Sequence, residues 1–194
     1  MHVVSLLGSP SATSRSASLL RLALQRLGDQ ASSLHEIAVR DLPPGALLAA
    51  DVRHPALAAA IEQVLAADVV LVATPIYKAA YSGLLKAFLD LLPQDGLRGK
   101  SVLPLATGGS AGHLLALDYA LKPVLAALGA RHIADAVYAV DGQLLPQPGL
   151  GHAPAAELLA RLDRALAGLV EHAPRRHVLP LRGHTPLHAA RFSV

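Results

Sequence analysis

Residues 3–18 read Val3-Val4-Ser5-Leu6-Leu7 followed by GSPSATSRSAS over Gly8 to Ser18. An apolar run, a loop of small residues and a helical pattern starting near Arg15 make a strand–turn–helix unit, the arrangement that offers free N–H groups to an anion. Gly8 lets the chain turn where a Cβ would clash. Pro10 keeps Ser9 extended and out of the helix. Ser9, Ser11, Thr13, Ser14, Ser16 and Ser18 surround the first helical turn with hydroxyls, and Arg15 adds a charge-assisted donor. Neither G-x-G-x-x-G nor G-x-x-x-x-G-K-[ST] is present. Hydroxyls standing where those motifs use glycines point to one terminal phosphate held by side chains, as on a mononucleotide. A Ser-rich N-cap on an ordinary βα turn would use the same residues.

Outward from this unit the pattern repeats. Strands are predicted at His2–Leu7, Ser32–Val39, Asp68–Thr74, Lys100–Ala106 and His132–Val140. Helices are predicted at Arg15–Leu27, Pro55–Ala66, Ser82–Leu92, Ala111–Leu128 and Pro154–His172. The first, third and fourth strands are short apolar runs, as in parallel strands buried on both faces. Pro55 and Pro154 sit where a first helical residue would be, and Gly28 and Gly129 where helices stop. The last helix carries Leu158, Leu159, Leu162, Leu166, Leu169 and Val170 on one stripe. Alternating strands and helices predict an α/β fold with an open parallel sheet covered on both faces. The connection Asp41–His54 is either a lid or a packed excursion.

In such a sheet ligands sit beyond the carboxyl ends of the strands. Two further strand ends therefore matter. After Val70-Leu71-Val72-Ala73, the Thr74-Pro75 step forces an extended exit into Ile76, Tyr77 and Lys78. Tyr77 and Tyr81 are two of the four tyrosines in the chain and can border a planar heterocycle or simply pack. Lys86 and Asp90 form a surface pair by spacing. The fourth strand ends in Thr107-Gly108-Gly109-Ser110, where two glycines permit close approach of a ligand. His113 lies one turn on, at the rim of a site or on plain surface. The strand ends gather no nucleophile–base–orienter set, which suits chemistry carried by a cofactor. His184 and His188 are separated by Pro186, so no helical metal pair forms, and no metal site is expected.

Composition sets the bounds. The chain has 194 residues, 53% hydrophobic, with a mean hydropathy of +0.42, enough for one domain with a large core. Absence of cysteine rules out disulfides and thiolate metal sites. No run reaches membrane-span length and no signal peptide precedes the first strand, so a cytoplasmic location is expected. The net charge of +3 arises in the tail: without its four arginines from Arg175 onward, 13 basic residues face 14 acidic ones. With 3% aromatics, nucleic-acid binding is not expected. Residues 1–173 read as the domain and 174–194 as a basic irregular tail.

Three stretches carry a resemblance: GSPSATSRSASLL at 8–20, ATPIYKAAYSGLLKAFLDLLP at 73–93 and GKSVLPLATGGSAGHLLALDYALKPVLAALGA at 99–130. On these the chain resembles the NAD(P)H-dependent FMN reductase family of the flavodoxin-like superfamily, most closely the branch serving two-component alkanesulfonate monooxygenases. The resemblance implies a three-layer sandwich on a five-stranded parallel sheet of order 2-1-3-4-5. It implies FMN at the carboxyl edge, with Ser9, Arg15, Ser16 and Ser18 at the phosphate. Pro75, Ile76, Tyr77 and Lys78 would run along the flavin, with Thr107, Gly108, Gly109, Ser110 and His113 near the ring. NADPH or NADH would be the reductant and a flavin-dependent monooxygenase the recipient of reduced FMN. The resemblance also implies a homo-oligomer, tetramer or dimer, through Tyr81, Asp118 and Tyr119, with Tyr119 in a π-bulge. The residues themselves say that 111–128 is apolar almost all round and broken by Pro123, which fits either an interface helix or a kinked core helix. Other functions compatible with the fold are a quinone, azo-dye or chromate reductase with tightly held FMN, a flavodoxin-like electron carrier, and a non-catalytic module.

Overall fold

The computed structural model describes residues 1–147 and 151–174. In chain order the strands are β1 (His2–Leu7), β2 (Ser33–Ala38), β3 (Val69–Tyr77), β4 (Ala80–Tyr81), β5 (Ser101–Gly108), β6 (His132–Ile133), β7 (Val137–Val140), β8 (Leu144–Gln147) and β9 (Gly151–Pro154). The helices are α1 (Arg15–Leu27), α2 (Pro44–Leu48), α3 (Pro55–Ala66), α4 (Gly83–Leu89), α5 (Lys122–Ala127) and α6 (Ala156–Glu171). The main sheet runs β2-β1-β3-β5-β6, with β7 also on β5, and all of these pairs are parallel. The fold is thus the expected flavodoxin-like sandwich, with the five lanes in the order 2-1-3-4-5.

The sheet nevertheless has seven strands, not five. One extra strand is β4, which folds back antiparallel on the end of β3. The other comes from a break in the fifth lane. Ser101 and Val102 face His132 and Ile133, whereas Leu105 faces Val137, so three residues oppose two and the lane bulges. Pro104 supplies the reason. The Val102 carbonyl accepts from the Ala134 N–H at 2.8 Å, so Val102 and, two residues on, Pro104 present their polar groups to this lane. Pro104 has no N–H to give.

Alternation along each strand divides the core into two layers. Val4, Leu6, Val70, Val72, Val102 and Ala106 face α3, α4 and α5, through Leu57, Val64, Leu85, Phe88 and Leu125. Val3, Leu7, Val69, Leu71, Leu103 and Leu105 face α1 and α6, through Leu20, Ala23, Leu158, Leu162 and Leu169. Phe88 is fully buried, and burying a side chain of this size stabilises by about 1.5–3 kcal/mol.

Helix starts follow local chemistry. The Ser14 side chain accepts from the Ala17 N–H and caps α1, and Pro55 opens α3. Pro154 does not open the last helix. It closes β9, paired with Leu144, and α6 begins at Ala156. The Asp41–His54 connection is a packed excursion containing α2, with Leu47 buried and Leu48 exposed. Lys100 sits at the start of the fourth lane with Nζ donating to the carbonyls of Leu65 and Ala67 at 2.6 and 2.9 Å, a cation at the C-terminus of α3. The segment expected as one helix over 111–128 is three pieces: a 3₁₀ turn at Ala111–His113, a π-helical turn at Leu117–Leu121, and α5. Lys122 N–H bonds the Leu117 carbonyl, five residues back, and Pro123 cannot donate to the carbonyl of Tyr119. In the single chain only one face of this segment is buried; Leu115 and Tyr119 are 57% and 80% exposed. The expected tail lies outside the described residues, apart from Pro174.

At the far end of the sheet His132 stacks on His172, with ring centroids 4.3 Å apart. Burial, then the neighbouring His172, holds the His132 imidazole below its ordinary range. The unfolded chain takes up that proton near pH ~6.5 while the folded chain resists it, so stability is full above that pH and falls as pH drops toward the lower folded value. The melting temperature should therefore decline between pH 7.5 and 5.5, and His132→Phe should flatten part of that decline. Equal slopes for the two proteins in a thermal-melt series would contradict this.

Candidate functional site: a crevice at the strand tips

Ser82 ties the first and third strand tips together. Its hydroxyl donates to the Gly8 carbonyl and accepts from the Leu85 N–H, capping α4. Its own N–H donates to Thr74 Oγ1 at 3.0 Å. Gly8 N–H bonds the Ala73 carbonyl at 2.8 Å. A Cβ on Gly8 would lie 2.5 Å from Leu85 Cβ. Glycine is needed there because α4 packs on the backbone, which leaves no room for a side chain.

A second tie joins the first turn of α1 to the tip of β5. Ser16 Oγ and Thr107 Oγ1 are 2.6 Å apart, and both residues are buried. Between these ties β3 runs on past Thr74 to Tyr77 and reverses at Lys78 and Ala79, with φ of 52° and 61°. Two successive positive φ values make a hairpin turn that ordinarily uses Asn-Gly. Left-handed backbone costs about 1–2 kcal/mol for each such residue. The strained turn holds Tyr77, which is 53% exposed, beside the crevice.

The crevice has a volume of about 310 Å³, at the lower end of small-ligand sites, about 300–1,000 Å³. Ser11, Ser14, Arg15 and Ser16 line one side, Pro75, Ile76 and Tyr77 another, and Thr107, Gly108 and Gly109 the floor between, with Asp141 at the edge. Two other concavities, of about 350 Å³ beside β2 and α3 and about 480 Å³ near Met1, do not draw on these strand tips. Eight sequence-predicted residues therefore share one cavity: Arg15, Ser16, Pro75, Ile76, Tyr77, Thr107, Gly108 and Gly109. The other five do not line it. Ser9 is buried at the end of β1 and accepts from the Ser11 N–H. Ser18 is buried in α1, its hydroxyl on His152 Nδ1 at 2.9 Å and on Arg21 at 3.2 Å. Lys78 is exposed at the hairpin turn. Ser110 caps the 3₁₀ turn that contains His113.

Two residues near the crevice were not singled out from the sequence. Asp141 directly follows β7, a strand end like the others, and its carboxylate lies 3.5 Å from the Arg15 guanidinium. Arg15 Nε also donates to the Leu144 carbonyl at 3.4 Å. Tyr138 passes under the floor, its hydroxyl donating to the Ser110 carbonyl at 2.7 Å. Burial, then Asp141, pushes this phenol above its ordinary range. A Cβ on Gly108 would overlap the Tyr138 hydroxyl, so this glycine answers to the tyrosine beneath it, whereas a Cβ on Gly109 would meet only Asp141 Oδ2, at an ordinary contact distance of 3.9 Å. His152 is held below its ordinary range, by burial first and then by Arg15 and Arg21, with Asp141 opposing.

The chemistry on offer is binding chemistry. One cation, several hydroxyls and the N-terminus of α1 converge on one end, suited to a phosphate. The extended backbone of β3 and the glycine floor make a flat slot at the other. Among the described residues no cluster of His, Cys, Asp and Glu is placed to hold a metal ion, and no helix is long and apolar enough to cross a membrane.

A doubly wound sheet with a phosphate-type loop and a flat slot at its carboxyl edge defines a flavodoxin-like protein. Comparison with known proteins narrows the class. Residues 1–144 match the model of the NADPH-dependent FMN reductase family. The chain is 47% identical over 191 residues to an FMN reductase (NADPH) of Escherichia coli (strain K12), covering 95% of this chain and 98% of that protein. It is 44% identical over 171 residues to an FMN reductase (NADPH) of Pseudomonas putida KT2440, covering 88% and 85%. Among solved structures, the apo form of an NADH:FMN oxidoreductase (EMOB) superposes with a TM-score of 0.81 at 42% identity, covering 89% of this chain and 90% of that one. The chain belongs to the NADPH-dependent FMN reductase family.

The floor can be tested by its packing. Gly108→Ala should destabilise the fold by about 1–3 kcal/mol through overpacking. Removing the hydroxyl it strikes, in Gly108→Ala/Tyr138→Phe, should recover more than half of that loss. A double variant no more stable in urea melts than the single one would show that the hydroxyl is not the obstacle.

Proposed function

We propose that the strand-tip crevice binds FMN with its phosphate toward Arg15 and the serine loop and its ring along Pro75–Tyr77 and Gly108–Gly109. The observation that carries this is the convergence of one arginine, buried hydroxyls and a flat backbone-lined slot at a single edge of the sheet. Bound there, FMN would supply the hydride acceptor, with NADPH or NADH as the donor. The protein's part is to hold the two rings in contact and to set N–H groups of the 74–78 and 107–110 loops where negative charge develops on the reduced flavin. The crevice is too small to enclose a dinucleotide, so the nicotinamide coenzyme would lie largely on the surface. Side-chain hydroxyls and one half-exposed arginine make a grip that can be released. Reduced FMN would then pass to a separate flavin-dependent monooxygenase, in a system that desulfonates alkanesulfonates for sulfur acquisition.

The same reading makes the chain a homo-oligomer. Tyr119 on the π-helical turn, with Leu114 and Leu115 just before it, is exposed, and the turn packs on β4 and so adjoins Tyr81. Asp118, next to Tyr119, pairs with Lys122 at 2.6 Å. A second copy of the chain is the proposed occupant. Tyr119→Ala should lower the sedimentation coefficient or the flavin occupancy with little change in melting temperature; equal sedimentation and equal occupancy would remove this idea.

Two measurements test the flavin reading. In anaerobic titration, the protein as eluted from gel filtration should oxidise NADPH or NADH only when FMN is added, with one flavin bleached per coenzyme. Flavin retained through gel filtration would favour a tightly bound cofactor, and no bleaching would favour an electron carrier. Arg15→Ala should weaken FMN binding about 10- to 100-fold, the value of a hydrogen bond to a charged group, while leaving riboflavin binding nearly unchanged. Unchanged FMN affinity in fluorescence quenching would count against the phosphate assignment.

A further inference from the structure

A carboxylate at the edge of a phosphate subsite has the wrong sign for the ligand. Asp141 is the one acidic side chain lining the crevice among the described residues. It lies 3.5 Å from the guanidinium of Arg15, and the two side chains are 50% and 35% exposed. Its other oxygen lies 3.9 Å from where a Cβ on Gly109 would stand, so it borders the floor as well as the arginine. Arg15 is otherwise held by the Leu144 carbonyl, from the far side of the same turn.

We infer that Asp141 is an internal competitor for the flavin phosphate: it occupies Arg15 in the empty crevice and opposes the incoming phosphate for that contact. This rests on the flavin reading above. An arriving phosphate must displace the carboxylate or share the guanidinium with it. Sharing sets a dianion beside a carboxylate, which is repulsive at this range. Either way the penalty falls on the phosphate end of the ligand, while the ring end is untouched. The device limits FMN affinity without loosening the slot that aligns the rings, which suits a protein that hands its flavin on. A purely structural clamp between α1 and the turn after β7 would behave differently, since its loss would weaken every ligand of the crevice.

The test compares Kd values for FMN and riboflavin, by quenching of flavin fluorescence with the full chain. Asp141→Asn should tighten FMN about two- to fivefold, the scale of a half-exposed ion pair, and change riboflavin less than about 1.5-fold. Asp141→Ser, which also removes the charge, should act alike. In the Arg15→Ala background the gain should shrink to less than half on the free-energy scale, because the contest for the guanidinium is gone and only the direct repulsion remains. Unchanged or weaker FMN binding, equal tightening of riboflavin, or the full gain retained without Arg15 would each overturn the inference. If the unaltered protein binds neither flavin, the flavin reading falls and this inference with it. If it prefers FMN to riboflavin yet Asp141→Asn changes nothing, this inference alone falls.

Discussion

The crevice exists because one residue, Ser82, fixes three pieces of chain at a point. Its hydroxyl donates to the Gly8 carbonyl just past β1 and caps α4, and its backbone N–H donates to the side chain of Thr74. These groups are buried, so each bond broken would leave a polar atom without water, at about 1–3 kcal/mol apiece. The Ser16–Thr107 bond repeats the device one lane further across the sheet. Together they turn three strand ends that need only be parallel into a rigid edge of fixed width. The ligand groups ride on that edge.

Much of the fold was legible from the sequence because burial on both faces writes itself into β1, β3 and β5 as unbroken apolar runs. Helix starts at Ser14 and Pro55 were legible because capping chemistry is local. The departures have local causes too. Pro104 stood in view as a residue without an N–H, but only the pairing shows that its missing donor faces the fifth lane and splits it. Pro154 looked like a helix opener, yet Pro is equally at home at the edge of a two-stranded hairpin. The Lys78-Ala79 reversal carried no turn signal, because neither residue is one that a positive φ favours. It is imposed from outside, by the pairing of Ile76 with Tyr81.

The site was legible as three loops but not as a cavity. Strand-end logic gathered Arg15, Pro75–Tyr77 and Thr107–Gly109. It could not tell which serines face outward, since that depends on the turn of α1: Ser16 points to β5, while Ser18, half a turn on, points to His152 and Arg21. Applied to the fifth lane, the same logic reaches Asp141. Gly8 is a position where a Cβ clashes, as its place in the sequence suggests, the clash being with Leu85. Gly108 shows a further limit: it reads as room for a ligand, yet the space for its side chain is taken by the Tyr138 hydroxyl. At Gly109 a side chain would meet nothing closer than Asp141. Affinity and alignment are thereby assigned to different ends: charge balance between Arg15 and Asp141 at one, rigid backbone at the other.

A crystal structure of the protein with FMN examines this division most directly. The expected map places the phosphate within hydrogen-bond reach of Arg15 and the serine loop, with the ring lying along Pro75–Tyr77 and over Gly109. FMN in the groove beside β2 and α3, or in this crevice with its phosphate turned away from Arg15, would contradict it.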